Sequence, residues 1–412
     1  MRLELPGHDR SRRQNAPDLT PPLGRLTPRA FLKGYWQRKP LLVRGAFPAF
    51  RDPLSTRQLR ALAASPAVES RLVLRSGGAR PWQLRPGPLP ASSLRRLPTR
   101  DWTILVQEAE RHVPELAQLL SSFWFLPRWR VDDVMVSLAA PGGGVGPHVD
   151  SYDVFLVQGR GRRRWSIASV FDPTLRPGLE LRVLRRFHPQ RSWVLHPGDL
   201  LYLPPGVAHD GVALETSLTY SIGFRAPSRA ELLVRALERA ARDAAESGRY
   251  ADPGLPLQRH PGQITAGSLS RFRSMLARGL RHAAASLPDL VGELVTEPRG
   301  VPPAPARRRV SAPSLATRLA SGARLRPAPG TRLAFTRAAG HVRLFADGRA
   351  HRLPESLAPA AALIAAGHPL GTAELARYLR KPAFTRALVA LVNAGALSIE
   401  PRPRHGAPSA RP

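Results

Sequence analysis

Between Trp129 and Phe224 the chain never sustains a helical hydrophobic period. It runs instead through short apolar or alternating stretches broken by glycine and proline: VDDVMVSLAAPGGG, DVFLVQGRGRRRWSI, RSWVLHPGDLLYLPPG and TSLTYSIGFRAP. Glycine admits left-handed turns and proline cannot donate to a ladder, so each break ends a strand. Several short strands at this spacing predict an all-β sandwich or barrel. This stretch constrains the fold most, because a chain so often interrupted cannot build a helical bundle here.

The flanks follow other periods. A helix is predicted at TPRAFLKGYWQ, with Thr27 as N-cap and Pro28 in the first turn, and another at STRQLRALAAS from Ser55. SRLVLRS reads as a strand, and DWTILVQEAERHVPELAQLLSSFWFL as a helix restarted at Pro114. After the β-rich stretch, SRAE forms a capping box from Ser228 to Glu231, and Leu232, Leu233, Ala236 and Leu237 follow at helical spacing. A second helix is expected near SLSRFRSMLARGLRHAAASL, and residues 298–313 (PRGVPPAPARRRVSAP) form a basic, proline-rich linker. Beyond it, FADGRAHRL carries an Asp-Gly hairpin turn, TAELARYLR and PAFTRALVALVNAG are helices, and ALSIE is a strand. That order suits a winged-helix module. Arginines 377, 380 and 386 invite a DNA-binding reading of it, but the apolar ALVALVNAGAL favours a structural or docking role. The expected plan is a polar tail at 1–18, a barrel domain with N-terminal helices at 19–226, a helical region at 227–297, the linker, a winged-helix-like domain at 314–402 and a tail at 403–412.

Composition removes several chemistries. The 412 residues include no cysteine, which excludes disulfides, thiolate zinc sites, iron–sulfur clusters and cysteine nucleophiles, and fits a reducing cytoplasm. Apolar runs are too short to cross a bilayer, and the N-terminus has charges where a signal peptide needs an apolar core. The net charge of +32 comes from 62 basic against 30 acidic side chains. Such a field attracts polyanions, RNA first among them. Yet only Lys33, Lys39 and Lys381 are lysines, and the arginine, alanine and proline excess fits a coding bias, so charge alone names no partner.

The chemistry concentrates at His148 and Asp150. Two residues apart on a strand, their side chains share one face. An imidazole and a carboxylate on one strand, with a second histidine from elsewhere, make the two-His-one-carboxylate set that favours non-haem Fe(II) and leaves positions open. Four downstream histidines compete for the third place. His209 follows a PGD, strand, PPG pattern that ends a strand and aims the next residue into the barrel mouth. His196 reads as a turn residue, and His188 and His260 as surface residues. The glycine-rich PGGGVGP leads into the strand of His148 rather than into a helix, so it reads as a flexible barrel-edge loop and not a phosphate cradle.

With WRVDDVMVS, PGGGVGPHVDSYDVFLVQGRGRRRWSI, GDLLYLPPGVAHDG and YSIGFRAP, the chain resembles the bacterial JmjC-type ribosomal oxygenases, the arginine hydroxylases of large-subunit ribosomal protein sixteen. The likeness extends over nearly all the chain after Leu19 and is loosest in the linker and C-terminal module. It implies an α+β chain: a double-stranded β-helix (cupin/JmjC) barrel, a helical dimerisation region and a winged-helix-like domain. It also implies Fe(II) on His148, Asp150 and His209, with 2-oxoglutarate as cosubstrate and O2 as oxidant. The product would be an arginine hydroxylated at its β-carbon, made by a homodimer; the non-specific RNA contact is an expectation from the charge and the cytoplasmic location one from the absence of cysteine.

A dicarboxylate cosubstrate needs a cation. Trp165 and Ile167 are apolar and face inward, so period two turns Arg163 inward and Arg162 and Arg164 outward. The resemblance selects Arg163 too, and places Ser137 at the cosubstrate. Asp133 and Met135 share the face of Ser137, which makes Asp133, with Tyr152, a candidate for holding a substrate guanidinium. Where relatives can carry asparagine, this chain has Thr219. Other readings stay open: hydroxylation of a histidine in another ribosomal protein, demethylation, a silent ribosome- or RNA-binding cupin, and a zinc cupin, which the inward arginine disfavours.

Overall fold

The computed structural model describes residues 20–76, 81–225, 227–244, 249–257, 259–298, 308–338 and 340–401; the expected tails at 1–18 and 403–412 and most of the expected linker lie outside these. The described residues form two compact units. The first runs to Pro127 and from Val131 to Phe224, and the second runs from Arg225 onward and includes Arg128–Arg130.

The first unit is two facing sheets. The larger has β1 (Leu41–Val43), β2 (Ser70–Arg75), β3 (Trp82–Pro86), β4 (Trp102–Val106), β5 (Val131–Ala139), β7 (Asp153–Gln158), β10 (Leu200–Leu203) and β12 (Ser217–Phe224), in the order β1-β10-β7-β12-β5-β4-β2-β3. The smaller has β6 (His148–Val149), β8 (Arg163–Ala168), β9 (Arg191–Leu195) and β11 (Ala208–Ala213), in the order β6-β11-β8-β9. Val154, Leu156, Leu201 and Leu203 of the larger sheet pack with Trp165, Ile167 and Leu195 of the smaller, which closes the barrel interior.

Strands β4, β7 and β10 of the larger sheet are buried on both faces, which is why they are apolar almost throughout, whereas the edge strand β3 has no buried residue. The outer face of this sheet takes α1 (Pro28–Gly34), α2 (Thr56–Ala63), α3 (Ala91–Arg95) and α4 (Pro114–Ser121) through Phe31, Leu59, Leu94 and Leu116. Thr27 caps α1, its hydroxyl accepting the Ala30 N–H at 3.2 Å, and Ser55 caps α2 with a full capping box. Phe31 then lies 5.1 Å from the Tyr202 ring and 5.8 Å from Phe155.

One expectation is overturned here. Trp102–Val106 is not helical but a fully buried strand, paired with β2 on one side and β5 on the other. Its β-branched Thr103, Ile104 and Val106 suit a pleated interior position, and sheet pairing outweighed the helical-looking continuation. A helix does start at Pro114, as expected, but after only a short 3₁₀ turn at Ala109–Arg111.

In the second unit, Ser228 and Glu231 cap α5 (Arg229–Ala244) reciprocally, and α5 packs on α6 (Ala266–Ala285). Next comes α7 (Leu287–Thr296), which the sequence reading grouped with these two helices. It packs on α5, where Arg239 pairs with Glu293 at 3.0 Å, and also on the sheet of β14 (Leu333–Ala338), β15 (His341–Ala346) and β16 (Arg349–Pro354), where Val295 meets Ala334 and Phe345 and Asp289 pairs with Arg343 at 2.6 Å. The β15–β16 hairpin turns at Asp347–Gly348, both at positive φ as an Asp-Gly turn requires. With α8 (Ala312–Ala320), α9 (Ala358–Ala365), α10 (Thr372–Leu379), α11 (Pro382–Asn393) and the paired strands β13 (Arg324–Pro327) and β17 (Leu397–Glu400), this is a winged-helix arrangement.

Candidate metal centre

The pairing of β6 with β11 sets His148 directly across from His209. The two ring centroids are 4.2 Å apart. Asp150, one residue past β6, brings one carboxylate oxygen to 3.9 Å from His148 Nε2 and the other to 3.6 Å from His209 Nε2. All three ligand atoms lie within 4.8 Å of one another. Val149 between them points the other way and is exposed, as alternation demands.

Both imidazoles are oriented from behind. His148 Nδ1 sits 2.9 Å from the Gly146 carbonyl and His209 Nδ1 3.0 Å from the Val207 carbonyl. Each Nδ1–H therefore donates to backbone, which leaves both Nε2 lone pairs turned to the shared space. Burial, aided by neighbouring His148, pushes the His209 imidazole down to about 4, so it is neutral at pH 7 and ready to ligate. Two nitrogens and a carboxylate oxygen on one side fit Fe(II) with open coordination positions. His188, His196 and His260 are exposed and outside this group, and the His196 N–H belongs to the turn held by Asp199.

Arg163, first residue of β8, is buried, whereas Arg164 is exposed and Arg162 is half-exposed in a surface ion pair with Glu215 at 2.9 Å. The buried guanidinium donates to Ser137 Oγ at 3.0 Å, to Thr219 Oγ1 at 3.4 Å and to the Gly211 carbonyl at 3.1 Å. Its Nε–H is buried with no acceptor, and among the described residues it forms no ion pair. Burial pulls it down only to about 10, so it stays cationic at neutral pH. The charge of Asp210 acts on it only from beyond ion-pair distance, so the enclosed cation lacks a contact partner that an anionic ligand would supply. Thr219 donates to Gln158 Oε1 at 3.2 Å, so the hydroxyl is committed to bracing the arginine rather than reaching for a metal. Gln158 was missed in the sequence, although a glutamine closing the apolar DVFLV was a visible signal.

Asp133 and Tyr152 converge as well. A Cβ placed on Gly223 would lie 3.4 Å from Asp133 Oδ1 and 3.8 Å from the Tyr152 ring, so both flank one glycine. Asp133 is buried and accepts the Glu108 N–H at 3.2 Å. Beside it stands Glu110, which no motif announced; its carboxyl accepts the Val134 N–H at 2.8 Å. Burial first, and the charge of Asp133 second, push Glu110 up to about 8. The PGGGVGP loop is tied down at the barrel edge: Gly142 N–H donates to Ala213 O at 2.8 Å and Ala213 N–H to Gly143 O at 2.9 Å.

A double-stranded β-helix bearing two histidines and one aspartate beside a buried cation defines a non-haem metal oxygenase architecture. Comparisons with known proteins make it specific. Residues 118–232 match the JmjC domain family and residues 279–398 the ROXA-like winged helix family. The Escherichia coli ribosomal protein uL16 3-hydroxylase is 36% identical over 270 residues, covering 65% of this chain and 71% of that protein. A probable ribosomal oxygenase of Haemophilus influenzae is 39% identical over 211 residues, covering 50% of this chain and 52% of its own length. The X-ray structure of E. coli ycfD superposes with a TM-score of 0.80 at 32% identity, over 91% of this chain and 99% of that one. The E. coli enzyme in complex with cobalt and 2-oxoglutarate gives 0.78 at 33%, over the same shares. The chain belongs to the JmjC-domain ribosomal oxygenase family, and the fold expected from the sequence is the fold found.

Two predictions follow from the centre itself. His209→Ala is expected to abolish Fe(II) binding measured anaerobically by calorimetry, with His196→Ala unchanged; retained binding in His209→Ala would return attention to His196. Glu110 holds its proton more tightly folded than unfolded, so stability is greatest below the ordinary glutamate value of 4.5 and falls as pH rises toward about 8. Glu110→Gln should flatten urea-unfolding stability across that window, and an undiminished slope would assign the dependence elsewhere.

Proposed function

We propose that this protein hydroxylates the β-carbon of an arginine side chain in a large-subunit ribosomal protein, using Fe(II), 2-oxoglutarate and O2. The observation that carries the reading is Arg163: a buried guanidinium with an unsatisfied Nε–H and no ion pair, on the same barrel interior as the His148, Asp150 and His209 group. That is the environment a dicarboxylate cosubstrate needs. The relatives add support, one named a uL16 3-hydroxylase and one solved with cobalt and 2-oxoglutarate.

His148, Asp150 and His209 would hold the iron. Bound Fe(II) supplies the activation of O2; in the overall reaction 2-oxoglutarate and O2 yield succinate and CO2 while a C–H bond becomes C–OH. The chain's own residues do the positioning. Arg163 pairs with the distal carboxylate of the cosubstrate, and Ser137, Thr219 and Gln158 hold the guanidinium in place. The apolar wall of Val154, Leu156, Trp165 and Ile167 keeps water out. Asp133 and Tyr152 receive the substrate guanidinium, so that the target carbon is held and not merely encountered. An acid at that place favours a cationic side chain over histidine, and a full ligand set argues against a silent binding module.

The same reading makes the protein a cytoplasmic homodimer. Leu233, Val234 and Leu237 of α5 and Leu269, Phe272 and Leu276 of α6 are about half exposed, an apolar surface that a second copy would cover. Light scattering should give twice the chain mass, and a monomer at micromolar concentration would overturn this part.

The deciding experiment incubates the protein with Fe(II), 2-oxoglutarate and the cognate ribosomal protein in air, and maps products by tandem mass spectrometry. One added oxygen on a single arginine, absent without 2-oxoglutarate, is expected. Arg163→Ala should raise the 2-oxoglutarate requirement roughly 10–100-fold, from about 1.5–3 kcal/mol for hydrogen bonds to a charged group, and Arg162→Ala should not. Equal effects would remove Arg163 from its role.

A further inference from the structure

The outer face of the smaller sheet carries a cavity, apart from the barrel interior. The connection between β8 and β9 folds back over this face. Its Phe171, Leu184 and Phe187 pack on Ala168 and Ala208, which point away from the metal ligands. Under this roof and beside the glycine loop lies a cavity of about 250 Å³, lined among others by Arg75, Trp82, Arg176, Arg185, Phe187 and Asp210.

Its chemistry is not that of a random basic surface. Arg75 and Arg176 both lie over the Trp82 ring, their Cζ atoms 5.9 and 5.6 Å from its centroid. Cation–π contact fixes where these two charges stand. Arg176 and Arg185 are set by a small antiparallel ribbon, in which Leu175 bridges Leu184, Arg176 N–H donates to Val183 O at 2.8 Å and Arg185 N–H to Thr174 O at 2.8 Å. Leu184 N–H donates to Pro147 O at 2.7 Å, which fastens the ribbon to the residue before His148. Among the described residues none of the three guanidiniums forms an ion pair; the nearby acids, Asp172 and Asp210, stay beyond that distance. The indole N–H of Trp82 is also buried with no acceptor. Three cations lining one cavity and an orphaned donor, against one lining carboxylate, make a receptacle for an oxyanion.

We propose that this cavity binds a phosphate group, held by Arg75, Arg176 and Arg185 with the Trp82 N–H, at a site separate from the one that Arg163 offers a cosubstrate. A phosphodiester of RNA and a free phosphate present the same oxygens. The proposal does not rest on the hydroxylase reading, because Arg75, Trp82, Arg176 and Arg185 have no part in the metal, cosubstrate or substrate positions assigned above. Guanidiniums suit phosphate because their forked donors match its oxygens.

The test uses the full-length protein and two probes: inorganic phosphate by calorimetry, and a short fluorescent single-stranded RNA by anisotropy over a salt series. Two double variants are compared. Arg176→Ala with Arg185→Ala removes the cavity's cations, and Arg57→Ala with Arg95→Ala removes the same charge from exposed helix positions elsewhere. The cavity pair is expected to lose at least about tenfold in affinity, and the control pair less than about twofold. For RNA, the slope of log K against log salt should fall by about 1.4 in the cavity pair, for two lost phosphate contacts on a single strand. Selective loss of phosphate binding identifies a free phosphate as the ligand. Selective loss with RNA alone identifies the phosphodiester. Binding of neither probe, or equal losses in the two pairs, overturns the site. Hydroxylation measured on the same preparations separates the two readings, since turnover with no anion binding counts against the cavity alone.

Discussion

The structure depends on one strand pairing. β6 is only two residues long, yet its register against β11 puts His148 opposite His209. Side chains on a strand alternate, so a slip of one residue would send His148 outward and bring exposed Val149 into the barrel. The backbone guards the register from both sides: the Gly146 and Val207 carbonyls hold the two imidazoles, and Gly206 N–H binds Asp150 O at 2.9 Å. Much of the neighbouring structure serves to keep this short pair aligned, including the glycine loop before it and the ribbon that binds Pro147.

Around that pair the barrel interior sorts charge. A cation is buried on β8 and an acid on β5, while burial keeps His209 neutral with its Nδ1–H on the Val207 carbonyl. Arg163 is braced by neutral partners, Ser137 and Thr219 directly and Gln158 through Thr219. Neutral bracing fixes its position without neutralising it, so the charge stays available to a ligand. An ion pair there would have stabilised the empty barrel and blunted its affinity for an anionic cosubstrate.

How much of this was legible in the chain varied with sequence distance. The barrel, the capped helices, the Asp-Gly hairpin and the inward turn of Arg163 were all readable, because each rests on a short period or a local cap. The 102–106 strand was not. WTILV is apolar without alternation, and only its neighbours in the sheet decide between helix and strand. Glu110 was invisible for the same kind of reason, since its partner Asp133 is brought to it by the packing of a 3₁₀ turn on β5. Nor does sequence order show that α7, which packs on α5, packs also on a sheet that comes later in the chain.

By itself the sequence determined the class of fold, the three metal-ligand types, and which arginine of three turns inward, because alternation along a strand is a local consequence of backbone geometry. Only the tertiary structure decided that Arg163 forms no ion pair among the described residues, that Thr219 braces it, that two carboxyls share one corner and that three arginines from two distant segments line one cavity with Trp82. Those facts depend on which groups are near and which are absent in space, and a linear order carries neither.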